Sequence, residues 1–409
     1  MSIASSSEAP PAIRDPGRRH PEVAIVGGGI GGLTLALALQ HHGIACRVFE
    51  LCADVRAEGA GIRLSPNATR LLRRLGLYER LREVAIRPAA LEINDWASGR
   101  RIFRATLGDE CERLFGAPLY TVLRQDLHRA LGLAAASTCA IVREARVTSL
   151  EPIRGGVTVH FDGGAVRDAD VVVGADGIHS TVGRLLHDRP LTFSGHAVYR
   201  GVAPGPARAR EPSITVWSGP TQHCIAYPVT AAGAVAFAAV VACDGPEDES
   251  GSRGDLTSAY QGWASEVHEL FASAGTLRRL ELWDRPPIST WVRGRIALLG
   301  DAAHPMLPFL AQGANSAIED AFIIASCLAE CWPDEVEAAL QRYQALRLAR
   351  ACNLHKEARA RAPEASRRGV SGTTARASYL DRQRWIYGYD AEQAIVNATQ
   401  EDGKRWLNR

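Results

Sequence analysis

Three clusters of glycine and acid, and one histidine–tyrosine pair, carry most of the chemistry legible in this chain. Gly27-Gly28-Gly29-Ile30-Gly31-Gly32 fits G-x-G-x-x-G at Gly27, Gly29 and Gly32, and Glu50 follows eighteen positions after Gly32. Glycines so spaced permit a tight turn, let the backbone approach a pyrophosphate and let a helix pack closely on its strand. The acid can accept hydrogen bonds from both ribose hydroxyls. Asp176 stands in Gly174-Ala175-Asp176-Gly177-Ile178-His179-Ser180, and Asp301 in Gly300-Asp301-Ala302-Ala303-His304-Pro305. His223 and Tyr227 are four apart, so on a regular strand both side chains face one way.

These residues need strands and helices to hold them. Val23-Ala24-Ile25-Val26 suits a parallel strand buried on both faces, Leu33 to His42 the helix behind the glycines with Gly43 as its C-cap, and Ala45 to Phe49 a second strand ending at Glu50. Such a helix offers unpaired N–H groups and partial positive charge to a diphosphate. Asp176 and Asp301 follow apolar runs at Ala169–Val173 and Ile296–Leu299, at the carboxyl ends where α/β sheets bind ligands. One Gly-Asp pair is usually a turn, but three such strand ends argue for a dinucleotide site; the glycines alone leave NAD and FAD open. Ala311-Gln312-Gly313-Ala314-Asn315 then opens an amphipathic helix through Glu319, Asp320, Phe322 and Ile323. Between the second and third motifs the chain alternates as antiparallel strands, for example Ser213–Trp217 and Ala234–Ala242. Beyond Pro333 it reads as Arg-rich helices, with Arg347, Arg350, Arg359, Arg361, Arg367 and Arg368 among interleaved acids.

Composition bounds the reading. With 409 residues, 46% hydrophobic and 22% charged, the chain is an ordinary globular protein rather than a disordered or fibrous one. Forty-seven basic and 45 acidic residues give a net charge of +2, so nothing favours nucleic acid or an anionic membrane as a partner. Only Lys356 and Lys404 of the basic residues are lysines. The uncharged stretch Val23–Leu39 after Arg18-Arg19 superficially suggests a secretion signal or membrane span, but its five glycines suit a strand, turn and helix better. Residues 1–21 read as a mobile tail. Nine cysteines without a C-x-x-C pair read as reduced thiols in a cytoplasmic protein, with no metal site expected.

The motifs, in this order, resemble those of the single-component FAD-dependent aromatic hydroxylases with a p-hydroxybenzoate hydroxylase-like fold, in the branch of salicylate hydroxylase and 6-hydroxynicotinate 3-monooxygenase. The resemblance spans roughly residues 22 to 390. It includes Val198-Tyr199-Arg200-Gly201, the segment from Trp217-Ser218-Gly219-Pro220 through His223 to Tyr227-Pro228, Gly59 to Ala68, and Trp385-Ile386-Tyr387-Gly388-Tyr389-Asp390. It implies an α/β fold: a Rossmann-like FAD-binding domain (22–90, 110–187 and 286–340), an antiparallel β-sheet substrate domain (91–109 and 188–285) and C-terminal helices (341–409).

The activity implied is NAD(P)H- and O2-dependent hydroxylation of a phenolic or hydroxypyridine carboxylic acid through a flavin C4a-hydroperoxide, with or without decarboxylation. A reductase or dehydrogenase on the same scaffold, or a noncatalytic flavin-binding protein, are the competing readings. By position, Glu50 holds the adenosine ribose, Asp301 the ribityl chain, and Asp176 belongs to a motif used for FAD and NAD(P)H. Arg56 and Arg124 match arginines that contact FAD. Pro305, Gln312, Gly313, Ala314 and Asn315 line the flavin, the helix aiming backbone N–H groups at its reduced form. His223 and Tyr227 lie at the substrate, where a histidine titrating near 6.5 can take a phenolic proton. Pro308, Phe309, Arg63 and Arg200 are further pocket candidates. Arg63 is either a clamp for a substrate carboxylate or a solvent-facing arginine, and Arg200 is also readable as strand structure. Phe309 departs from the histidine of the hydroxynicotinate enzyme. A monomer or homodimer is expected.

Overall fold

The structure, a computed structural model, describes residues 21–53, 60–205, 211–245, 252–362 and 378–398. Arg56, Arg367, Arg368 and the expected N-terminal tail up to residue 20 lie outside the described residues. Val23–Val26, fully buried and mostly β-branched, is a central strand of a six-stranded sheet. The order is Val292–Arg293, Ile296–Leu298, Val171–Gly174, Val23–Val26, Cys46–Phe49 and Ala140–Val142, and only the edge strand Val292–Arg293 is antiparallel. Helices Ile30–His41 and Gly313–Ala329 belong to the large core around this sheet, the buried-on-both-faces arrangement that explains its uninterrupted apolar strands.

The apolar run expected as one strand over Ala169–Val173 divides at Asp170. Val166–Ala169 closes a three-stranded antiparallel sheet with Gly156–Phe161 and Val147–Ile153, while Val171–Gly174 joins the parallel sheet. The break is fixed by Asp170, whose carboxylate accepts from the Glu22 amide at 2.6 Å.

A second large sheet runs Arg278–Asp284, Thr192–Ala203, Val235–Ala242, His223–Pro228, Ser213–Ser218, Ala90–Asp95 and Arg101–Thr106. It is antiparallel except where Ser213–Ser218 pairs with Ala90–Asp95. Side chains alternate between its faces. Tyr199, Cys224 and Phe237 pack against helices Arg253–Ala259 and Ser265–Ser273 on one face. The Tyr260 hydroxyl, shared between the carbonyls of His223 (2.9 Å) and Val240 (2.7 Å), pins that covered face. The opposite face carries His223, Ile225 and Tyr227, with Arg200 and Ile225 both opposite Ala238 in the register.

The helix Gly313–Ala329 is not amphipathic as expected. Glu319 and Asp320 are both 0% exposed, because helix Val336–Ala360 brings Arg347 and Arg350 to them. A further helix, Tyr379–Tyr387, begins with a Ser378–Asp381 capping box and packs beside Phe115, Leu310 and Leu354. Among the described residues no helix is long and apolar enough to cross a membrane, and no group of three or more His, Cys, Asp or Glu is placed to hold a metal. Cys46, Cys111, Cys224 and Cys327 are buried, and the other five cysteines are half-buried thiols.

Candidate active site

The three motifs converge at the carboxyl edge of the parallel sheet. Gly27 has φ +106°, and a Cβ there would lie 2.4 Å from the Ala175 carbonyl oxygen; one on Gly32 would lie 2.0 Å from the Gly27 oxygen. Gly29 differs: a Cβ there meets nothing within 4 Å, so the backbone at this point borders open space. Beside it the Glu50 carboxylate accepts from the Gly28 amide at 2.6 Å and the Cys52 amide at 2.8 Å, which leaves further lone pairs for a ribose. Helix Ile30–His41 has no side-chain cap and no acid in its first turn, so its first N–H groups face the same space. A turn too tight for side chains, backbone bordering open space at Gly29 and an oriented carboxylate fit the diphosphate and ribose of a dinucleotide such as FAD.

Asp301 lies on the single turn Gly300–Ala302 and opens to solvent, yet the protein around it pushes its carboxyl pKa up, against the pull of His304 and Arg124. Arg124, exposed at the start of its helix, thus shares a recess with Asp301. A carboxyl so placed suits hydroxyl groups of a ligand. Asp176 is engaged locally: its carboxylate takes the Ser180 hydroxyl and the amides of Thr181 (2.7 Å) and Val182 (3.2 Å), capping the short helix Thr181–Leu186. Burial pushes its pKa up in spite of those bonds.

Pro305 is buried at the start of the loop that leads to the turn Pro308–Leu310. Ala311 then adopts φ +52°, a conformation costing roughly 1 kcal/mol for a non-glycine residue, and two side chains hold it. Asn315 Nδ2 donates to the Ala311 carbonyl at 2.7 Å, and Arg63 Nη2 to the Leu310 carbonyl at 3.1 Å. Gln312 donates to Ser65 Oγ (2.9 Å) and accepts from Asn67 (3.2 Å), while Asn315 also accepts from the Ser65 amide (2.9 Å). The side chains of Gln312 and Asn315 are therefore turned into the protein, and the helix start, with no side-chain cap, leaves its first-turn backbone amides without helical partners.

Above this edge lies the face of the large sheet that its two covering helices leave to the loop 305–311 and the C-terminal helix. The His223 ring meets Phe309 edge-on at 5.6 Å, and Phe309 also meets His196 at 6.3 Å. Burial, reinforced by His196, lowers the His223 pKa to about 4, which corrects the expectation of a base titrating near 6.5. Tyr227 packs so closely on Gly61 that a Cβ there would lie 2.6 Å from its ring. Burial raises its pKa, and Arg200 and Arg63 pull it back, so both arginines flank the phenol. Arg63 is turned inward, not toward solvent. Burial opposes its charge, but the nearby Tyr387, Tyr379, Tyr227 and Cys111, when ionised, outweigh that and raise its pKa. Pro308 and Phe309 form the neighbouring wall with Leu307 and Leu310.

Three groups had no clear reading from sequence. The first is a buried network. Arg347 pairs with Glu319 (2.6 Å) and Asp320 (2.7 Å), Arg350 and Asn67 hold Glu319 (2.7 and 2.6 Å), and His304 holds Asp320 (2.6 Å). Burial would raise the Asp320 carboxyl, but His304 and Arg347 hold it at about 2. Adjacent acids inside an apolar helix are the signal that could have revealed it. The second is His196, 2% exposed, with Nδ1 at 2.9 Å from the Ser194 carbonyl and Nε2 unpartnered. The third is a cavity of about 500 Å³ whose polar lining is His179, Ser180, Arg184, His187, Asp188, Arg189 and Arg285, three guanidinium groups against one carboxylate. Arg285 is 7% exposed and donates to the carbonyls of Arg189 (3.0 Å) and Ile178 (3.2 Å), leaving Nη1 unpartnered.

A family model described as "FAD binding domain" matches residues 20–358. The chain is 40% identical over 388 residues to a 3-amino-4-hydroxybenzoate 2-monooxygenase of Streptomyces platensis, covering 91% of this chain and 97% of that enzyme. It is 30% identical to the 6-hydroxynicotinate 3-monooxygenase of Pseudomonas fluorescens, covering 91% and 96%. Among solved structures, HpxO of Klebsiella pneumoniae complexed with FAD and uric acid superposes with a TM-score of 0.79 at 28% identity, covering 93% of this chain and 96% of that one. A salicylate hydroxylase substrate complex shares the fold, with a TM-score of 0.77 at 24% identity over 92% and 97%.

Proposed function

Since the chain belongs to the FAD binding domain family and is a flavin-dependent aromatic monooxygenase, we propose that it hydroxylates an amino- or hydroxy-substituted benzoic acid, with 3-amino-4-hydroxybenzoate, oxygenated at C2, as the first substrate to test. The observation that carries this reading is the polarity of the sheet face. His223 stands at one end and Tyr227, flanked by Arg63 and Arg200, at the other. Their Cα atoms are roughly 13 Å apart along the strand, room for one substituted ring with a polar contact at each end. The arginines bind the carboxylate, and His223 meets the hydroxyl or amine.

FAD supplies the redox chemistry, taking hydride from NAD(P)H and activating O2. The protein's own residues orient the ring and manage protons. At a pKa of about 4, His223 is neutral at pH 7 and does not strip a phenol of its proton in advance. It accepts the proton as oxygen attack draws electrons from the ring and acidifies the substituent. An aminophenol suits such a base, because an amine activates its ortho carbons without losing a proton, and C2 is ortho to the 3-amino group. Phe309, Leu307 and Leu310 keep water from the reacting carbon. The cavity at Arg285 receives the phosphates of NADH or NADPH, since Arg184, Arg189 and Arg285 outnumber the one carboxylate of its lining, Asp188, and so suit a diphosphate. A cytoplasmic location fits nine unpaired thiols.

The test offers FAD-loaded enzyme NADH or NADPH, labelled O2 and a panel of 3-amino-4-hydroxybenzoate, 4-hydroxybenzoate and 6-hydroxynicotinate. One labelled oxygen in the aminohydroxybenzoate product, ortho to the amine, is expected. Reduced-cofactor oxidation with no labelled product from any acid overturns the reading in favour of a reductase, and preference for 6-hydroxynicotinate overturns the substrate.

A further inference from the structure

Arg63 presents an unusual electrostatic problem. Its guanidinium is turned into the protein, Nε has no hydrogen-bond partner, and among the described residues no carboxylate pairs with it. A half-buried cation with a buried, unpartnered Nε and no carboxylate beside it is costly, so the site as built favours an anion. What surrounds Arg63 instead is the Leu310 carbonyl and three tyrosines: Tyr227 from the sheet, and Tyr379 and Tyr387 from the helix Tyr379–Tyr387. That helix lies more than 300 residues along the chain from Arg63.

The helix is firmly held. Tyr387 is 1% exposed and meets Phe115 edge-on at 5.6 Å, and the carbonyls of Trp385 and Ile386 accept from Arg350 at 3.0 and 3.2 Å. Arg350 also grips Glu319, so the helix is tied to the element whose first turn borders the cofactor space. Tyr379 is half-buried, and its hydroxyl lies 3.4 Å from that of Tyr387. Both rings pack in the cluster that contains Leu310, Met306, Ile225 and Tyr227, the residues at the Arg63 end of the sheet face.

We propose that this C-terminal helix determines specificity: Tyr379, oriented by Tyr387, completes with Arg63 a pocket that recognises the carboxylate of the aromatic substrate. A tyrosine hydroxyl donates to a carboxylate while the guanidinium supplies the charge, and a neutral substituent gains little from either. Tyr379 touches the ligand, and Tyr387 is a positioning residue behind it. The inference rests on the benzoic-acid reading above.

The experiment compares FAD-loaded wild type with Tyr379→Phe and Tyr387→Phe, using 3-amino-4-hydroxybenzoate and its carboxamide as probes. Affinity is read from the perturbation of the flavin absorption spectrum, and turnover as separate kcat and KM. Tyr379→Phe is expected to weaken the acid about ten-fold, with kcat near wild type and carboxamide affinity unchanged. Tyr387→Phe moves the same quantities in the same direction by less. Equal weakening of acid and carboxamide, or no weakening of either, overturns the proposal while leaving the monooxygenase reading intact. A wild-type enzyme that neither binds nor hydroxylates the phenolic acids overturns both. Tyr379 is only half-buried, so its phenylalanine variant keeps the test standing should Tyr387→Phe fail to fold.

Discussion

Replacing His223 by glutamine separates its titration from its packing. Glutamine keeps a polar side chain of similar volume but carries no titratable ring. In the folded protein burial, with His196 nearby, lowers the His223 pKa to about 4, against about 6.5 in the unfolded chain. Between these values the unfolded state binds more protons. His223 therefore contributes stability that is fully present above about pH 6.5 and is lost as pH falls through 4. The fall is worth about 3 kcal/mol if the ring is fully desolvated. Because His223 is only half-buried, about 1–3 kcal/mol is expected. Denaturant unfolding of wild type and His223→Gln at a series of pH values from 4 to 7.5 reads this directly. The wild-type curve falls below the variant's by that amount on acidification. In turnover, the acid limb of kcat/KM lies below pH 5 for the wild type. Parallel stability curves, or a ring titration near 6.5 by nuclear magnetic resonance, refute the reasoning.

Two further outcomes follow from buried charges. Arg347→Met leaves Glu319 and Asp320 short of their shared counter-ion at 0% exposure, so a loss of about 3–5 kcal/mol in unfolding free energy is expected from denaturant titration. A change under 1 kcal/mol contradicts the network's role. Arg285→Gln removes one of the three guanidinium groups lining the cavity of about 500 Å³ and is expected to raise KM for NADH or NADPH about ten-fold, with FAD content and aromatic-acid affinity unchanged. An unaltered KM places the reduced cofactor elsewhere.

Legibility in this chain follows sequence distance. The strand–glycine–helix unit at Val23–His41 and the acid at Glu50 lie within about thirty residues. The α/β fold was legible because turn geometry demands glycine where φ is +106° or a Cβ has 2.0 Å of room. Local reading failed where a distant element changed a residue's surroundings. Glu319 and Asp320 look like the polar stripe of a surface helix until Arg347 and Arg350 arrive from the next helix. Asp170 splits an apolar run because its carboxylate meets the Glu22 amide from a neighbouring strand end.

Taken alone, the amino-acid order determined the α/β architecture, the dinucleotide motifs and the histidine–tyrosine spacing of one strand, since each is a local pattern with a local physical cause. Tertiary structure decided the rest. It turned Arg63 inward to Tyr379 and Tyr387, set Phe309 between His196 and His223, and buried His223 until its pKa fell to about 4. Burial and long-range charge belong to no single segment, so the electrostatics of the site exist only once the chain has folded.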